Sequence, residues 1–346
     1  MSDAAEVTGA TKRPAGRIDS DFAPLKIGSM VVGWAIVAGL GLVVLMRLVA
    51  WDSVEPFIVL NALSLIVYLP AWVVAIGSAI ARKWLLALAA LAIVIAQVVF
   101  VAPEFLAASQ VPSWARHAET LKVFDANIDK SFQFEAGYDR AIEQDRPDLV
   151  TLEEFTPGAL EGMAASGLLG EFPYRCVAPH SGATGFLVAS RLPLTGCQIE
   201  TVLLDGQPTP YMVDATLSTP AGRVTLRLVH TLAPLPSYWR EWSAALAAVD
   251  GSTRSSNNSR MLMIGDFNAT WGNAGFSALV HSGLTDGAAA RGDAIDMTWP
   301  NGAVVPTFVR IDHVLTGSQL AVTKIATGSG FGSDHRYLLA TVAVRP

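Results

Sequence analysis

The sequence has little charge for its length. Only 16% of its 346 residues are Asp, Glu, Lys or Arg, while 51% are hydrophobic and the mean hydropathy is +0.41. Soluble domains carry about 25% charged residues, so this composition excludes a wholly water-soluble protein of this size. Part of the chain is therefore expected to lie in a membrane.

Three nearly charge-free windows indicate the membrane part. They lie at about residues 27–47, 56–81 and 84–103, and each reaches the ~20 residues that a helix needs to cross the hydrocarbon core. The first window follows a polar leader, residues 1–26, and has no evident small-residue cleavage site, which is not typical of a cleaved signal peptide. The sequence predicts three transmembrane helices, with two as the alternative, after a disordered leader.

Basic residues near these windows indicate an orientation. Before the first window lie Lys12, Arg13, Arg17 and Lys26, and between the second and third lie Arg82 and Lys83. Cytoplasmic loops of membrane proteins carry an excess of Lys and Arg, which places the N-terminus in the cytoplasm. Three crossings then put the rest of the chain outside. We expect a multi-pass protein of the cell membrane, held in the lipid bilayer by its N-terminal helices, with an extracytoplasmic C-terminal domain.

Cysteine is scarce, with two residues in the whole chain. Cys176 and Cys197 both lie in the expected external domain. An oxidising compartment permits a disulfide between them. Two buried thiols are the alternative, and the sequence leaves both open.

The C-terminal part has an α/β pattern. Residues 104–120 lack clear periodicity and contain Pro112, so they are expected to be a linker. In residues 121–346, short β-rich runs alternate with helical stretches such as 138–144 and 238–249. The expected strands are 121–124, 149–152, 185–189, 211–217, 223–229, 261–264, 310–315 and 338–344. A domain of this length can bury a full core.

Polar residues follow several of these runs at the point where each run ends. They are Asn127, Glu154, His230, Asp266 and Asn268, with Asp129 two residues beyond Asn127; Asp312 lies within the run 310–315, and Asp334 and His335 come shortly before the run 338–344. Each alone has an ordinary explanation, such as a turn-forming Asn, a surface Glu or a hydrogen-bonded core His. Asp266 and Asn268 are more telling, because residues i and i+2 of an extended segment share a face and can act on one group.

Together these side chains suit the metal-dependent hydrolysis of phosphoesters. Mg²⁺ prefers one or two carboxylates plus water, and Glu154 ends an apolar strand where it can serve as a ligand. Histidine is the side chain best suited to take a proton from water near neutral pH, and His335 follows Gly-Ser-Asp in what reads as a loop beside a strand. A buried Asp312 would need a partner, because an unpaired buried carboxylate is costly.

The order of the motifs resembles the endonuclease/exonuclease/phosphatase superfamily, the DNase I-like fold. The resemblance rests on Gly-Asp-Phe-Asn at 265–268, Ile-Asp-His-Val at 311–314 and Ser-Asp-His-Arg at 333–336, and it covers about residues 121–344. The stretch 185–194 is similar to the family's inner strand and Ser-Arg-x-Pro turn. This resemblance implies a four-layered α/β sandwich, with two packed mixed β-sheets and helices outside.

The resemblance also implies a metal site. Glu154 would be the principal ligand of Mg²⁺ or Mn²⁺, with Asn127, Asp129 and Asp334 beside the metal. The chain departs from many members of the family, which carry Gln where this sequence has Glu153. This extra carboxylate could bind a second cation, but we expect it to point to solvent.

The catalytic roles follow from the same resemblance. Asp266 and Asn268 would position the nucleophilic water and the scissile phosphate. His335 would be the general base, oriented by Asp312. His230 would contact the phosphate and stabilise its developing charge.

The substrate is left open by the sequence. From residue 104 onward the chain has 17 Lys and Arg against 24 Asp and Glu, without a basic run that could follow a nucleic-acid backbone. We still predict a nuclease that hydrolyses phosphodiester bonds by attack of His-activated water. An extracytoplasmic phospholipid or phosphomonoester hydrolase is the alternative, because a tethered site would meet lipid head groups. An inactive membrane-anchored binding protein is a third hypothesis, and no protein partner is inferable.

Overall fold

The computed structural model describes residues 23–106, 111–131, 136–293, 295–302 and 304–346. These residues form two compact units. One comprises residues 23–44 and Tyr68–Ala96, and the other comprises Leu45–Val67 and Gln97–Pro346. Residues 1–22 of the leader, which we expect to be disordered, lie outside the described residues. Residues 107–110 of the expected linker also lie outside them.

The described N-terminal part is helical. Its helices are α1 (Ala23–Val49), α2 (Glu55–Ala62), α3 (Leu69–Ile80) and α4 (Trp84–Phe105). By length and composition, Gly28–Val49 and Trp84–Phe105 could each cross a membrane. The first and third predicted spans fall on these two helices.

The predicted second span, residues 56–81, is not one helix. A turn at residues 63–68 separates α2 from α3, which has 12 residues. At 1.5 Å per residue α3 rises about 18 Å, short of the roughly 30 Å hydrocarbon core. Pro70 lies in the first turn of α3, where proline is tolerated, whereas inside a continuous helix it would clash with the preceding turn. The prediction of three long apolar helices was therefore wrong, and two are found among the described residues.

The C-terminal α/β domain begins at β1. Its strands are β1 (Glu119–Asn127), β2 (Leu149–Glu153), β3 (Tyr174–Ala178), β4 (Phe186–Ser190), β5 (Leu194–Leu204), β6 (Gln207–Thr219), β7 (Gly222–His230), β8 (Met261–Asp266), β9 (Thr285–Asp286), β10 (Asp312–Thr316), β11 (Leu320–Thr327) and β12 (Leu338–Val344). Its helices are α5 (Ala136–Asp145), α6 (Pro157–Ala165), α7 (Trp239–Ser255), α8 (Ala274–His281) and α9 (Gly287–Arg291), with short 3-10 turns at Ser113–Arg116, Leu168–Glu171 and Asn258–Arg260. Every predicted strand is confirmed. Strands β3, β5, β9 and β11 were not predicted from the sequence. Most of β5 is exposed, so that strand has no buried apolar pattern that would reveal it.

Two mixed sheets form the centre of the domain. Their strand orders are β11-β12-β1-β2-β4-β3 and β5-β6-β7-β8-β10-β9. The pairs β1/β2 and β7/β8 are parallel, so Asn127 lies opposite Glu153 and His230 lies opposite Asp266. The strand ends that carry the predicted polar residues therefore share an edge in each sheet.

Apolar side chains bury both faces of each sheet. Between the sheets lie Val123, Leu149, Leu226, Ile264 and Leu338, each at most 1% exposed. The outer face of the first sheet is covered by α5 and α6, and that of the second sheet by α7 and α8. This arrangement is the four-layered α/β sandwich that the family resemblance implies.

A disulfide joins Cys176 on β3 to Cys197 on β5, with their Cα atoms 6.1 Å apart. These strands are edge strands of different sheets. The bond therefore closes one side of the sandwich, and of the two alternatives left open by the sequence the disulfide is the one found.

Candidate active site

The end of β1 and the residue after β2 form one side of the site. Asn127 Nδ2 lies 3.4 Å from Glu154 Oε1 and donates to Asp266 Oδ2 at 3.2 Å. Lys130 contacts the other Glu154 oxygen, with its backbone N–H at 2.9 Å and its ammonium at 3.4 Å. The Glu154 carboxylate is thus fixed at one oxygen and faces the site with the other.

His230, Asp266 and Asn268 form the opposite side. His230 ends β7, and its Nε2 lies 3.9 Å from Glu154 Oε1 and 3.7 Å from Asp266 Oδ2. Asp266 is 1% exposed and accepts from the Asn268 backbone N–H at 2.7 Å and from its side-chain amide at 3.1 Å. Asn268 also donates to the Thr231 backbone oxygen at 2.9 Å. The carboxylate and the amide therefore act as one hydrogen-bonded group.

His335 lies between two carboxylates. Its Nδ1 is 3.0 and 3.1 Å from the two oxygens of Asp312, and its Nε2 is 3.7 Å from Asp266 Oδ2. Ser333 accepts from the His335 backbone N–H at 3.0 Å and donates to the Asn127 backbone oxygen at 2.7 Å. Ser333 therefore ties the His335 loop to the end of β1.

Two of the predicted metal ligands lie at the rim of the site. The Asp129 backbone N–H donates to Asn127 Oδ1 at 3.0 Å, and its carboxylate belongs to the cavity wall. The Asp334 side chain is 55% exposed and accepts from Trp299 Nε1 at 3.0 Å. The predicted metal group is thus divided: Asn127 and Glu154 are in contact, whereas Asp129 and Asp334 flank them.

A cavity of about 440 Å³ opens over these groups. The predicted site residues in its wall are Asn127, Asp129, Glu154, His230, Asp266, Asn268, Asp334 and His335. Asp312, the remaining predicted residue, is buried behind His335. The structure therefore brings all the predicted residues to one place.

Three site residues have left-handed backbone conformations. Their φ angles are 58° at Asp129, 54° at Glu154 and 46° at Asn268. Residues other than glycine rarely adopt this conformation, and it persists where the surrounding structure fixes it. At each of these positions the chain turns shortly after a strand and the side chain lines the cavity.

The two histidines differ in charge. Burial opposes the charged form of His335, but Asp312 and Asp266 outweigh burial and raise its pKa to about 10. Burial lowers the pKa of His230 to about 4. Without a metal, His335 is therefore protonated at neutral pH and His230 is neutral.

The acidic groups fit a divalent cation. Asp266, Asp312 and His335 are buried and bring potential ligand atoms within 4.8 Å of one another. Burial raises the pKa of Asp266 to about 8, although the neighbouring His335 lowers it. Burial alone would raise the pKa of Glu154, but His230 and Lys130 lower it below its usual value, so Glu154 is ionised. Carboxylate and amide oxygens suit Mg²⁺ or Mn²⁺, and Glu154, Asn127 and Asp266 could hold such an ion.

Glu153 corrects one expectation, because it is fully buried and does not point to solvent. It ends β2, which is covered on both faces, and its Oε1 lies 2.7 Å from where a Cβ on Gly265 would be. Burial raises the pKa of Glu153 well above its usual value, and the neighbouring Asp125 raises it further. Glu153 is thus a buried acid beneath the site that favours its protonated form.

Three residues that shape the site were not predicted from the sequence. Lys130 and Ser333 each adjoin a predicted residue, so the motifs could have drawn attention to them. Trp299 comes from the loop between α9 and β10 and reaches the cavity wall from outside any motif.

The comparisons with known proteins agree with this geometry. The model of the endonuclease/exonuclease/phosphatase family matches residues 134–335, which is more than half of the chain. No curated protein matches the sequence.

Solved structures share the fold. D. rerio TDP2, complexed with a single-strand DNA product, is 15% identical, with 65% of this chain and 100% of that chain covered and a TM-score of 0.55. The 3' phosphatase NExo from Neisseria, bound to a product DNA hairpin, is 17% identical, with 64% and 98% covered and a TM-score of 0.51. An endonuclease/exonuclease/phosphatase from Beutenbergia cavernae is 17% identical, with 65% and 72% covered and a TM-score of 0.50. The fold, the site and the match over more than half of the chain show that this protein belongs to the endonuclease/exonuclease/phosphatase family of metal-dependent phosphoric ester hydrolases.

Proposed function

We propose that this protein is a membrane-anchored phosphodiesterase that depends on Mg²⁺ or Mn²⁺, with a nucleic acid as its first-choice substrate. The observation that carries the proposal is the His335–Asp312 pair, which faces Asp266 at the floor of the cavity. A water molecule between His335 Nε2 and the Asp266–Asn268 pair would be held for attack on a phosphorus atom. His335 would take the proton from that water.

The other polar residues bind the phosphate and the metal in this proposal. Glu154 and Asn127 would hold the cation, with Asp129 and Asp334 as outer contacts. A bound divalent cation neutralises phosphate charge and polarises the phosphoryl group. His230, neutral at pH 7, would donate one hydrogen bond to a phosphate oxygen. Removing one such donor typically costs about 10²- to 10³-fold in turnover.

Nucleic acid is favoured by analogy with similar folds. TDP2 and NExo were solved with DNA products. The electrostatics of the cavity favour it less, because Lys130 is the one Lys or Arg in the described wall. Nucleic-acid binding draws mainly on phosphate contacts by basic side chains. A nuclease of this kind would therefore bind its substrate weakly.

A lipid phosphoester is the second candidate substrate. The observation that favours it is the apolar part of the cavity wall, which includes Leu232, Ala233, Leu235 and Tyr238. Leu235 is 55% exposed. Exposed apolar side chains beside a phosphate site suit a ligand with an acyl chain.

One assay separates these substrates. The full chain, in detergent or lipid nanodiscs with Mg²⁺ or Mn²⁺, would be given plasmid DNA, single-stranded RNA, sphingomyelin-type lipid and a phosphomonoester side by side. Any activity that remains unchanged in His335→Ala comes from a contaminating enzyme. His281→Ala, which changes an exposed histidine on α8, is the matched control. Cleavage of lipid alone would overturn the nuclease proposal. No cleavage of any substrate would support the inactive binding protein.

We also propose that the α/β domain, with its active site, lies on the extracytoplasmic side of the membrane. The disulfide Cys176–Cys197 suits an oxidising compartment. The end of α1 and the residues that follow it, Leu45–Val67, belong to the same compact unit as the α/β domain, as expected if both lie on one side of the membrane. This orientation requires residues 63–81 to cross the bilayer as a turn followed by α3, rather than as one long helix, so that Arg82 and Lys83 lie in the cytoplasm.

Cysteine labelling tests this orientation. Lys83→Cys and Ser318→Cys place single thiols at exposed positions, one between α3 and α4 and the other in the α/β domain. A membrane-impermeant maleimide added to intact cells should label residue 318 and spare residue 83. The reverse pattern would place the α/β domain in the cytoplasm.

A further inference from the structure

The segment between α1 and α3 is built into the α/β domain. Ile58 on α2 is 1% exposed and packs in the cluster that contains Trp242 and Phe276, on the outer face of the second sheet. Asn61 is fully buried, and a Cβ on Gly272 would overlap the Asn61 backbone oxygen. Only glycine allows the two backbones to approach this closely. This segment is therefore part of the domain's packing.

Asp52 caps a helix of the α/β domain. Its Oδ2 accepts from the Ala274 backbone N–H at 2.7 Å and from Asn273 Nδ2 at 3.2 Å, while its Oδ1 accepts from Asn61 Nδ2 at 2.8 Å. Ala274 is the first residue of α8, and its N-cap residue, Asn273, makes no capping bond with its own side chain. A carboxylate at a helix N-terminus satisfies a free N–H and is favoured by the helix dipole. The cap thus comes from a residue more than 200 positions earlier in the chain.

Three more hydrogen bonds fasten the same turn. Trp51 Nε1 donates to the Gly272 backbone oxygen at 2.8 Å. Asn273 Nδ2 donates to the Ile58 backbone oxygen at 3.0 Å. Thr270 Oγ1 donates to the Ala62 backbone oxygen at 3.2 Å. The turn from Thr270 to Ala274 is therefore held at several points by the segment that precedes α3.

This turn continues directly into the active site. Asn273 Oδ1 accepts from the Thr270 backbone N–H at 3.0 Å. Thr270 is two residues after Asn268, whose left-handed backbone and bond to Asp266 define that side of the cavity. A strained residue of this kind keeps its conformation only while its neighbours fix it. Hydrogen bonds thus run from Asp52 through Asn273 to Thr270, and the chain leads from Thr270 through Ala269 to Asn268.

We propose that Asp52 is a positioning residue for the Asp266–Asn268 pair, so that hydrolysis depends on the docked segment at residues 50–62. Asp52 does not touch the cavity and acts through Asn273 and Thr270. The proposal rests on the phosphodiesterase activity proposed above. It makes the membrane connection part of the catalytic structure as well as an anchor.

The kinetic test uses Asp52→Ala in the full chain, with Asp52→Asn as a conservative variant that keeps the volume. We expect kcat to fall about 10- to 100-fold with little change in KM, the scale of a misplaced catalytic group. Glu55→Ala is the matched control, because Glu55 lies in the same segment and makes no hydrogen bond to Thr270–Ala274 among the described residues. Its kcat should match the wild type.

A double-mutant cycle separates positioning from stability. If Asp52 acts through Asn268, then Asp52→Ala combined with Asn268→Ala should lower kcat no further than Asn268→Ala alone. Additive losses, or an Asp52→Ala enzyme that melts earlier but keeps its kcat, would reduce Asp52 to a stabilising residue and overturn the proposal.

Hydrogen exchange tests the docking without any substrate. In Asp52→Ala, and not in Glu55→Ala, the amides of Ala274 and Asn268 should exchange faster, because both are hydrogen-bonded in the docked state. Unchanged exchange at Asn268 would overturn the proposal even if the enzyme is active. Faster exchange in a chain that hydrolyses no phosphoester would instead show that the proposed function is at fault.

Discussion

Asp266 and Asp312 lie directly opposite each other in the antiparallel ladder of β8 and β10. Both carboxylates are 1% exposed, and His335 lies beside the two. Like charges opposed in a buried ladder are unfavourable unless a cation compensates them. In the metal-free protein the imidazolium of His335 supplies one positive charge, and the raised pKa of Asp266, about 8, relieves the rest of the repulsion by favouring its protonated form. This relationship governs how the site responds to mutation and pH.

Replacing His335 by Ala should lower kcat by about 100-fold or more, because general-base catalysis contributes on that scale. The variant should still bind substrate, since the proposed phosphate and metal contacts come from other residues. Steady-state kinetics of the full chain would measure the loss, with His281→Ala as the control. Near-wild-type turnover would remove His335 from the mechanism.

Replacing Asp312 by Asn should change the pH profile. His335 takes a proton only in its neutral form, and Asp312 is the foremost group that raises its pKa to about 10. Activity should therefore rise with pH in the wild type. In Asp312→Asn the rise should move to lower pH, with a lower plateau because the imidazole loses its orienting partner. A profile of kcat against pH checks this, and an unmoved rise would mean that another group is the base.

Replacing Glu154 by Gln should weaken metal binding, so that a higher metal concentration is needed for half-maximal activity. Mutation of a residue that only hydrogen-bonds to a metal ligand lowers metal affinity about 10- to 100-fold. Mutation of a direct ligand should lower metal affinity at least as much. Titration of activity with Mg²⁺ and with Mn²⁺ would measure the half-saturating concentration. Glu161→Gln alters an exposed carboxylate on α6 and should leave the curve in place. An unchanged titration in Glu154→Gln would contradict the ligand assignment.

The sequence predicted the α/β domain well because its strands are buried apolar runs with polar residues at their ends. Asp266 and Asn268 come together as their spacing predicts, but for another reason: the strand ends at Asp266, and the left-handed backbone of Asn268 turns its amide back onto the carboxylate. Lys130 and Ser333 help to form the site through backbone and short polar contacts. Such contacts cannot be predicted from the residue type alone. Trp299 reaches the site through a long loop, and no local pattern encodes that distance.

Two errors had the same physical origin. Residues 56–62 were assigned to a membrane span because they carry no charge, yet Ile58 and Asn61 are buried against the α/β domain. Glu153 was expected in solvent because carboxylates usually lie there, yet it is fully buried between the sheets. The composition of a segment does not show whether it is buried in lipid or in protein. Whether an acidic side chain is buried is likewise decided by neighbours that are distant in sequence.

Removing the disulfide should destabilise the domain. Cys176 and Cys197 are 21 residues apart, and closing a loop of that size contributes about 3 kcal/mol in the chain-entropy account. Cys176→Ser with Cys197→Ser should lower the melting temperature, and reduction of the wild type should lower it by a similar amount. The kcat measured well below the melting temperature should not change, because neither cysteine lines the cavity. A double variant as stable as the oxidised wild type would show that the bond contributes nothing.

Glu153→Gln should stabilise the metal-free protein at alkaline pH. The pKa of Glu153 lies at 4.5 in an unfolded chain and well above that in the fold, so the native state binds the extra proton. The stability this provides is complete below pH 4.5 and is lost as the pH rises toward the folded pKa, at up to about 1.4 kcal/mol per pH unit. Gln is neutral at every pH and nearly the same size as Glu, so the substitution removes the titrating group with little change in packing. The free energies of unfolding of the two proteins should therefore agree at acidic pH and diverge as pH rises, with the variant the more stable.

Denaturant unfolding across this pH range, in the presence of a chelator, measures the divergence. Glu161→Gln, which changes an exposed carboxylate on α6, is the control and should follow the wild type at every pH. A constant difference between Glu153→Gln and the wild type would mean that Glu153 is ionised in the fold. The buried acid would then need a cation partner beneath the active site, because an unpaired buried charge costs several kcal/mol or more.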